Sequence, residues 1–163
     1  MSSIAVPRRP SPVTDLLKDL PKLMLAGLAG HLVWEFFARL LTAWLLGGPL
    51  EPAALIISLS ENLFAFNPGR PVAEVVHYAT GILFYPIGYY ILIKILPTVP
   101  RWLSGLLWGV ITWVLALGVF ASLAGLPFML GFIPLSWFSL AGHVFYGLVL
   151  ALVFARLTAR RES

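Results

Sequence analysis

Four long apolar stretches divide this chain and restrict its fold more than any other feature. They run from about residue 23 to 46, 72 to 96, 102 to 123 and 135 to 157. Each is close to the roughly 20 residues that cross about 30 Å of hydrocarbon, and backbone hydrogen bonding in lipid requires each to be helical. With 60% hydrophobic and 11% charged residues, the sequence predicts an all-α membrane protein, a bundle of four transmembrane helices.

Basic residues predict the orientation of the bundle. They lie before the first span (Arg8, Arg9, Lys18, Lys22), between the second and third spans (Lys94, Arg101), and at the end of the chain (Arg156, Arg160, Arg161). On the other side Arg70 stands beside Glu51, Glu61 and Glu74. The positive-inside rule then places both termini in the cytoplasm. We expect a multi-pass protein of a bacterial inner membrane, with the lipid bilayer and not nucleic acid as partner of its basic residues.

The connecting segments have different characters. We expect residues 1–22 to form a cytoplasmic segment with a brief amphipathic helix capped by Thr14. Residues 23–157 should form the transmembrane domain, and residues 158–163 a basic cytoplasmic tail. Between the first two spans we expect a short interfacial helix from Pro52 to about Phe66. The apolar link between the third and fourth spans is bracketed by Pro127 and Pro134, and it is either re-entrant or packed on the bundle.

All three histidines lie inside the apolar stretches, where ionisable groups are costly and indicate function. The tetrapeptide Leu-Ala-Gly-His ends at His31 and again at His143. His31, Glu35 and Arg39 are spaced four apart and form one ridge on the first helix, while His77 shares a face with Glu74. The sequence predicts one polar cluster inside the bundle; its members are His31, Glu35, Arg39, Glu74, His77 and His143.

Small residues should bring the helices together around this cluster. Gly105, Gly109, Thr112 and Ala116 form a stripe along the third span, and Gly147 lies on the face of His143. Stripes of small residues allow helices to approach closely in lipid. The polar groups are on or beside such stripes, so we expect them to face the bundle interior.

Three chemistries suit the cluster. His77 and His143 are the favoured pair of haem or metal ligands, because both are expected in the outer half of the bundle, and such a pair could hold a b-type haem, although the sequence leaves the cofactor unknown. A metal could instead use histidines with Glu35 as carboxylate ligand or general base. Proton or ion handling could use His31, Glu35 and Arg39, since histidine titrates near neutral pH. His31 is expected to lie apart from the other two histidines.

Several classes of site are missing from the sequence. The chain has no cysteine, which excludes thiolate metal sites, iron–sulfur clusters and disulfides. It also lacks a phosphate-binding P-loop, a dinucleotide fingerprint and a nucleophile elbow. These observations favour a protein that is not an enzyme.

The second half of the chain resembles a family of small membrane proteins. A histidine opens the second span at His77, a short basic turn follows that span, and Gly142-His143 opens the last span. Over roughly residues 72–160 this arrangement resembles the YagU-type family of small, uncharacterised bacterial inner-membrane proteins. The resemblance implies the membrane location and a weak link to acid tolerance. The ridge of His31, Glu35 and Arg39 has no counterpart in it.

The sequence supports three functions. The leading one is a non-enzymatic inner-membrane protein whose intramembrane cluster serves proton, ion or helix-contact function. The second is a b-haem or metal-binding electron-transfer or sensor protein. The third is an accessory structural subunit of a larger membrane complex, with another membrane protein or a second copy of the chain as partner.

Overall fold

The computed structural model describes residues 12–159, which form five α-helices and no strand. Four of the helices are long and apolar enough to span a membrane, and the fifth is shorter. In chain order they are α1 (Pro12–Leu46), α2 (Pro52–Phe64), α3 (Arg70–Ile95), α4 (Arg101–Leu123) and α5 (Pro134–Ala159). The prediction of an all-α protein with four membrane-spanning helices is confirmed.

Helix α1 begins earlier than the sequence suggested. Among the described residues it runs without a break from Pro12 to Leu46. The stretch from Pro12 to Lys22, where a separate amphipathic helix was expected, is therefore continuous with the first span, and Thr14 lies within it. Leu16 and Leu23 pack against the same apolar core. Their shared face therefore continues the helix through Pro21, which lies within it. The remaining residues of the predicted cytoplasmic segment and of the basic tail lie outside the described range.

Glycines bring α5 close to its two neighbours, α4 and α1. A methyl group at Gly109 would lie 2.5 Å from the carbonyl oxygen of His143, and one at Gly147 would meet the backbone of Gly105. On the α1 side, a methyl group at Gly30 would lie 2.8 Å from the carbonyl oxygen of Tyr146. Such distances leave no room for a side chain, so the small residues permit the close helix approach expected in lipid.

The two connections with apolar sequence are both folded onto the bundle. Helix α2 is the predicted short helix, and Asn62 near its end donates a hydrogen bond of 2.8 Å to the carbonyl oxygen of Leu123. Between α4 and α5, Phe128–Phe132 forms a 3-10 turn, in which the buried Met129 packs against Trp113 and Leu117. Of the two alternatives for this link, the packed one is therefore observed.

Three of the long helices change locally from α- to π-helical geometry. The π segments are Phe36–Leu41 in α1, Thr80–Phe84 in α3 and Val114–Phe120 in α4. A π segment widens the helix by one residue per turn and is often found at functional sites. All three border the polar cluster or the cavity described below.

Candidate functional site

Two helices bring two histidines against one carboxylate. His31 and Glu35 lie one turn apart on α1, and His77 reaches them from α3. The Nε2 atom of His77 lies 2.9 Å from Oε1 of Glu35, and Nε2 of His31 lies 3.6 Å from the same oxygen. The centroids of the two imidazole rings are 4.8 Å apart. We call His31, Glu35 and His77 the triad.

The triad is packed closely because α3 carries a glycine opposite His31. A methyl group at Gly81 would collide with Nδ1 of His31, so the ring occupies the space that a side chain would fill. Tyr78 closes the other side, with its ring 4.7 Å from that of His31. His31 is only 2% exposed, and its Nε2 atom has no hydrogen-bond partner among the described residues.

A chain of ion pairs connects the triad with the end of the bundle at which α3 begins. Arg39 pairs with Glu35 through Nε and with Glu74 through NH2, the second contact measuring 2.8 Å. Arg70 then lies 3.7 Å from Glu74 and 2.8 Å from Glu51. The side chains of Glu35 and Arg39 are 12% and 38% exposed, and those of Glu74 and Arg70 are 22% and 59% exposed. The ionic chain thus runs from a buried carboxylate to an exposed guanidinium.

The charges of this ionic chain do not balance. Three carboxylates (Glu35, Glu51, Glu74) meet two guanidinium groups (Arg39, Arg70). One negative charge is left over, and the same holds for the inner members Glu35, Arg39 and Glu74 alone. An unbalanced charge in an apolar environment is costly, which makes an added cation favourable at this position.

His143 is connected to the triad through the indole ring of Trp34. The Trp34 ring contacts both His77 and His143, at 5.0 and 5.7 Å between centroids. Nδ1 of His143 lies 2.8 Å from the carbonyl oxygen of Ser139, one turn earlier on α5, and 3.3 Å from Nε1 of Trp34. The polar partners of His143 are therefore Ser139 and Trp34, and not the carboxylates.

A cavity of about 540 Å³ lies beside the triad. All three histidines line it, together with Trp34 and Ser139, and most of the remaining wall is apolar. The apolar wall comes from α2, from the π segment of α4 and from the link before α5; its members include Leu55, Leu59, Leu117, Phe120, Leu126 and Leu130. The volume falls within the roughly 300–1,000 Å³ typical of small-molecule sites.

The structure unites five of the six predicted cluster residues, since His31, Glu35, Arg39, Glu74 and His77 form one network. The expectation that His31 lies apart from the other histidines is wrong. His31, expected to lie apart, is the histidine against His77, because Gly81 lets α1 and α3 approach there. His143 shares with His77 the cavity and the contact with Trp34. Whether His77 and His143 bind a haem or a metal stays a prediction.

A metal ion would find its ligands in the triad. One ligand atom each from His31, Glu35 and His77 lies within 4.8 Å of the others. Ligands about 2.0–2.1 Å from a tetrahedral zinc ion are roughly 3.3 Å apart. The 2.9 and 3.6 Å separations at Glu35 lie on either side of that value. The third separation, between the two imidazole nitrogens, is at most 4.8 Å.

Sequence reasoning missed three contributors to the site. Trp34 lies three residues after His31, and this spacing, which places both residues on one face of the helix, is its only signal in the sequence. Arg70 and Glu51 lie in the connection before α3 and join the network through folding of that connection. The π segments left no recognisable pattern in the sequence.

Comparison with known proteins identifies a family over almost the whole chain. A family described as a family of unknown function (DUF6789) matches residues 17–163, including the first helix, which the resemblance drawn from sequence did not cover. The match gives no support to the YagU-type name. No curated protein and no solved structure matches the chain. With four membrane-spanning helices and a match over this range, the chain belongs to the DUF6789 family.

Proposed function

We propose that this protein is a non-enzymatic inner-membrane protein that holds one proton within its bundle and responds to pH through it. The observation that carries the proposal is the unbalanced negative charge of the ionic chain, which ends at Glu35 against two imidazoles. A proton supplies one positive charge, and histidine is the side chain that takes it up near neutral pH. With that proton the ionic chain is neutral.

His77 is the residue that we assign as the proton carrier. Its Nε2 atom is 2.9 Å from Oε1 of Glu35, a hydrogen-bond distance, whereas Nε2 of His31 is 3.6 Å away. A charged donor on a carboxylate forms one of the stronger hydrogen bonds in proteins. His31 is then the neutral neighbour, held against Gly81 and Tyr78.

Loss of the proton would weaken the contact between α1 and α3. The groups that face His77 are Glu35 and His31 from α1, Glu74 and Tyr78 on its own helix, and, across Trp34, His143 from α5. Arg39 and Arg70 complete the network. Removing the proton leaves one unpaired negative charge at the α1–α3 contact. The protonated, tightly packed state therefore dominates at low pH, and a looser one at high pH.

A divalent metal ion is the second candidate, favoured by the clustered ligand atoms of the triad and by the unpartnered Nε2 of His31. Its double charge would turn the ionic chain from net negative to net positive. Charge balance therefore favours the proton over the metal.

The test is a nitrogen-15 NMR spectrum of histidine-labelled protein in lipid nanodiscs. The chain has only three histidines, so the single His→Gln variants assign every signal. At pH 7 we expect His77 as imidazolium and the other two rings as neutral. Glu35→Gln removes the unbalanced charge and should make His77 neutral, while the control Glu61→Gln, outside the network, should leave it charged.

A neutral His77 at pH 7 in the unaltered protein would refute the proposal. Stoichiometric zinc chloride separates the second candidate from the first. If zinc shifts the His31 and His77 signals together and Glu35→Gln abolishes the shift, the triad is a metal site. If zinc leaves both signals in place, the metal reading is wrong.

A further inference from the structure

We infer that the cavity beside the triad binds a small, mostly apolar molecule that carries a hydroxyl group. The inference adds a ligand site to the proposed function. It rests on that function in one point only, that His31 is the neutral histidine of the triad. Four observations support it: the composition of the wall, the unpartnered nitrogen of His31, the hydrogen bonding of His143, and the local backbone geometry around the cavity.

The wall has one polar region and a large apolar one. The polar side chains meet around Trp34, which contacts His77 and His143 directly, and His31 contacts His77. The rest is mostly apolar, with leucines and Phe120 from α2, α4 and the link; Glu51, Ser58 and Thr80 also line the cavity. Ligand sites typically combine such an apolar wall with a few converging polar groups that orient the ligand.

His31 supplies a polar atom that lacks a partner. Its Nε2 atom is buried, lies 3.6 Å from Oε1 of Glu35 and has no hydrogen bond among the described residues, and the residue lines the cavity. A buried polar atom without a hydrogen bond costs about 1–3 kcal/mol. A ligand that forms this bond would recover that free energy.

The hydrogen bond of His143 indicates which chemical group is needed. A carbonyl oxygen can only accept, so Nδ1 of His143, 2.8 Å from the Ser139 carbonyl, carries the hydrogen. In the neutral ring Nε2 is then the acceptor. Because Nδ1 carries the hydrogen, it cannot accept a hydrogen bond from the N–H group of Trp34. A hydroxyl group both donates and accepts, so it can serve His143 and Trp34, whereas a carbonyl or an ether can only accept.

The backbone around the cavity is unusual on several sides. The π segments of α3 and α4 contribute Thr80, Gly81, Ala116 and Leu117 to the wall. In the link, Leu130 lines the cavity with a φ of 52°, left-handed geometry that a leucine rarely adopts. Strained backbone of this kind persists where the surrounding structure requires it and clusters at ligand sites. Together with the polar groups, this backbone geometry supports a functional role for the cavity.

The test uses dodecan-1-ol as the probe and its methyl ether as the matched control. Both are added to the full-length, histidine-labelled protein in nanodiscs, and the nitrogen-15 shifts of His31 and His143 are followed. We expect a saturable shift with dodecan-1-ol and roughly tenfold weaker binding of the ether, the size of one lost hydrogen bond.

Two variants of α2 show whether the shift comes from the cavity. Ser58 lines the cavity and Ser60 does not, and both are half-buried on the same helix. Ser58→Phe should abolish the saturable shift, and Ser60→Phe should retain it. Equal binding of alcohol and ether, a shift that does not saturate, or a shift that survives Ser58→Phe would overturn the inference.

The two proposals fail in different measurements. The charge state of His77 is read before any alcohol is added, and it decides the proton site alone. If His77 is neutral but the saturable shift is present, the proton proposal is wrong and the cavity site stands. If His77 is charged and no saturable shift occurs, the cavity proposal is wrong and the proton site stands.

Discussion

Among single residues, Arg39 has the most consequential position. It is the only described side chain that bridges two carboxylates of different helices within the ionic chain, Glu35 on α1 and Glu74 on α3. Its own side chain is 38% exposed, while Glu35 is 12% exposed. Arg39 therefore balances the negative charge of carboxylates that are more buried than its own side chain.

Replacing Arg39 by alanine should destabilise the bundle. Removal of one partner from a buried ion pair costs about 3–5 kcal/mol, and the partial exposure of Arg39 places the expected loss near the lower end. Adding Glu35→Gln to Arg39→Ala should restore part of the stability, because it removes one of the two carboxylates left without a partner. Thermal unfolding of the purified protein in detergent measures both effects.

Arg70→Ala is the matched control for that experiment. Arg70 also pairs with two carboxylates but is 59% exposed, and an exposed ion pair contributes only about 0–1 kcal/mol. Equal losses of thermal stability for Arg39→Ala and Arg70→Ala would show that the ion pairs of Arg39 stabilise the bundle no more than those of Arg70.

At the scale of the helices, glycine contacts determine which helices touch. Helix α5 packs on α4 through Gly105, Gly109 and Gly147, and Thr112 satisfies its own hydroxyl with the backbone of α4. Helix α1 meets α3 through Gly27 and Gly81, and the second of these glycines makes the space for His31. Packing and the candidate site therefore depend on the same class of residue.

Gly147→Ala should loosen the contact between α4 and α5. A methyl group there would collide with the carbonyl oxygen of Gly105 and lie 2.7 Å from the amide nitrogen of Gly109. Overpacking of this kind costs about 1–3 kcal/mol, measurable as a lower unfolding temperature in detergent.

Gly48→Ala provides the comparison, because a methyl group at Gly48 would meet nothing within 4 Å. It should leave the unfolding temperature almost unchanged. If the two alanine variants were equally stable, helices α4 and α5 would have to lie further apart than in this structure.

For the whole molecule, the open question of orientation can be tested at two exposed positions. Thr98 lies in the turn between α3 and α4, and Asn67 lies before α3. Because α3 is long enough to span the membrane, the two positions should face opposite sides. The basic residues Lys94 and Arg101 near the turn favour the cytoplasmic side for Thr98.

Single cysteines at these positions in the naturally cysteine-free chain can be labelled in intact cells with an impermeant maleimide. We expect Asn67→Cys to react from outside and Thr98→Cys only after the membrane is opened. Ser104→Cys should react poorly in both cases, since Ser104 is buried and hydrogen-bonded to Tyr89. Reaction of Thr98→Cys from outside would reverse the proposed orientation.

The sequence by itself determined the number of the long helices, the approximate bounds of the last three, the short helix before α3, and the ridge of His31, Glu35 and Arg39. These follow from apolar length and from the helical repeat, which are properties of one segment at a time. Only the tertiary structure decided that His77 meets His31 while His143 turns to Ser139 and Trp34. A helical repeat defines the faces of each helix but not how two helices are rotated against each other. In lipid, close packing at glycines such as Gly81 makes that choice.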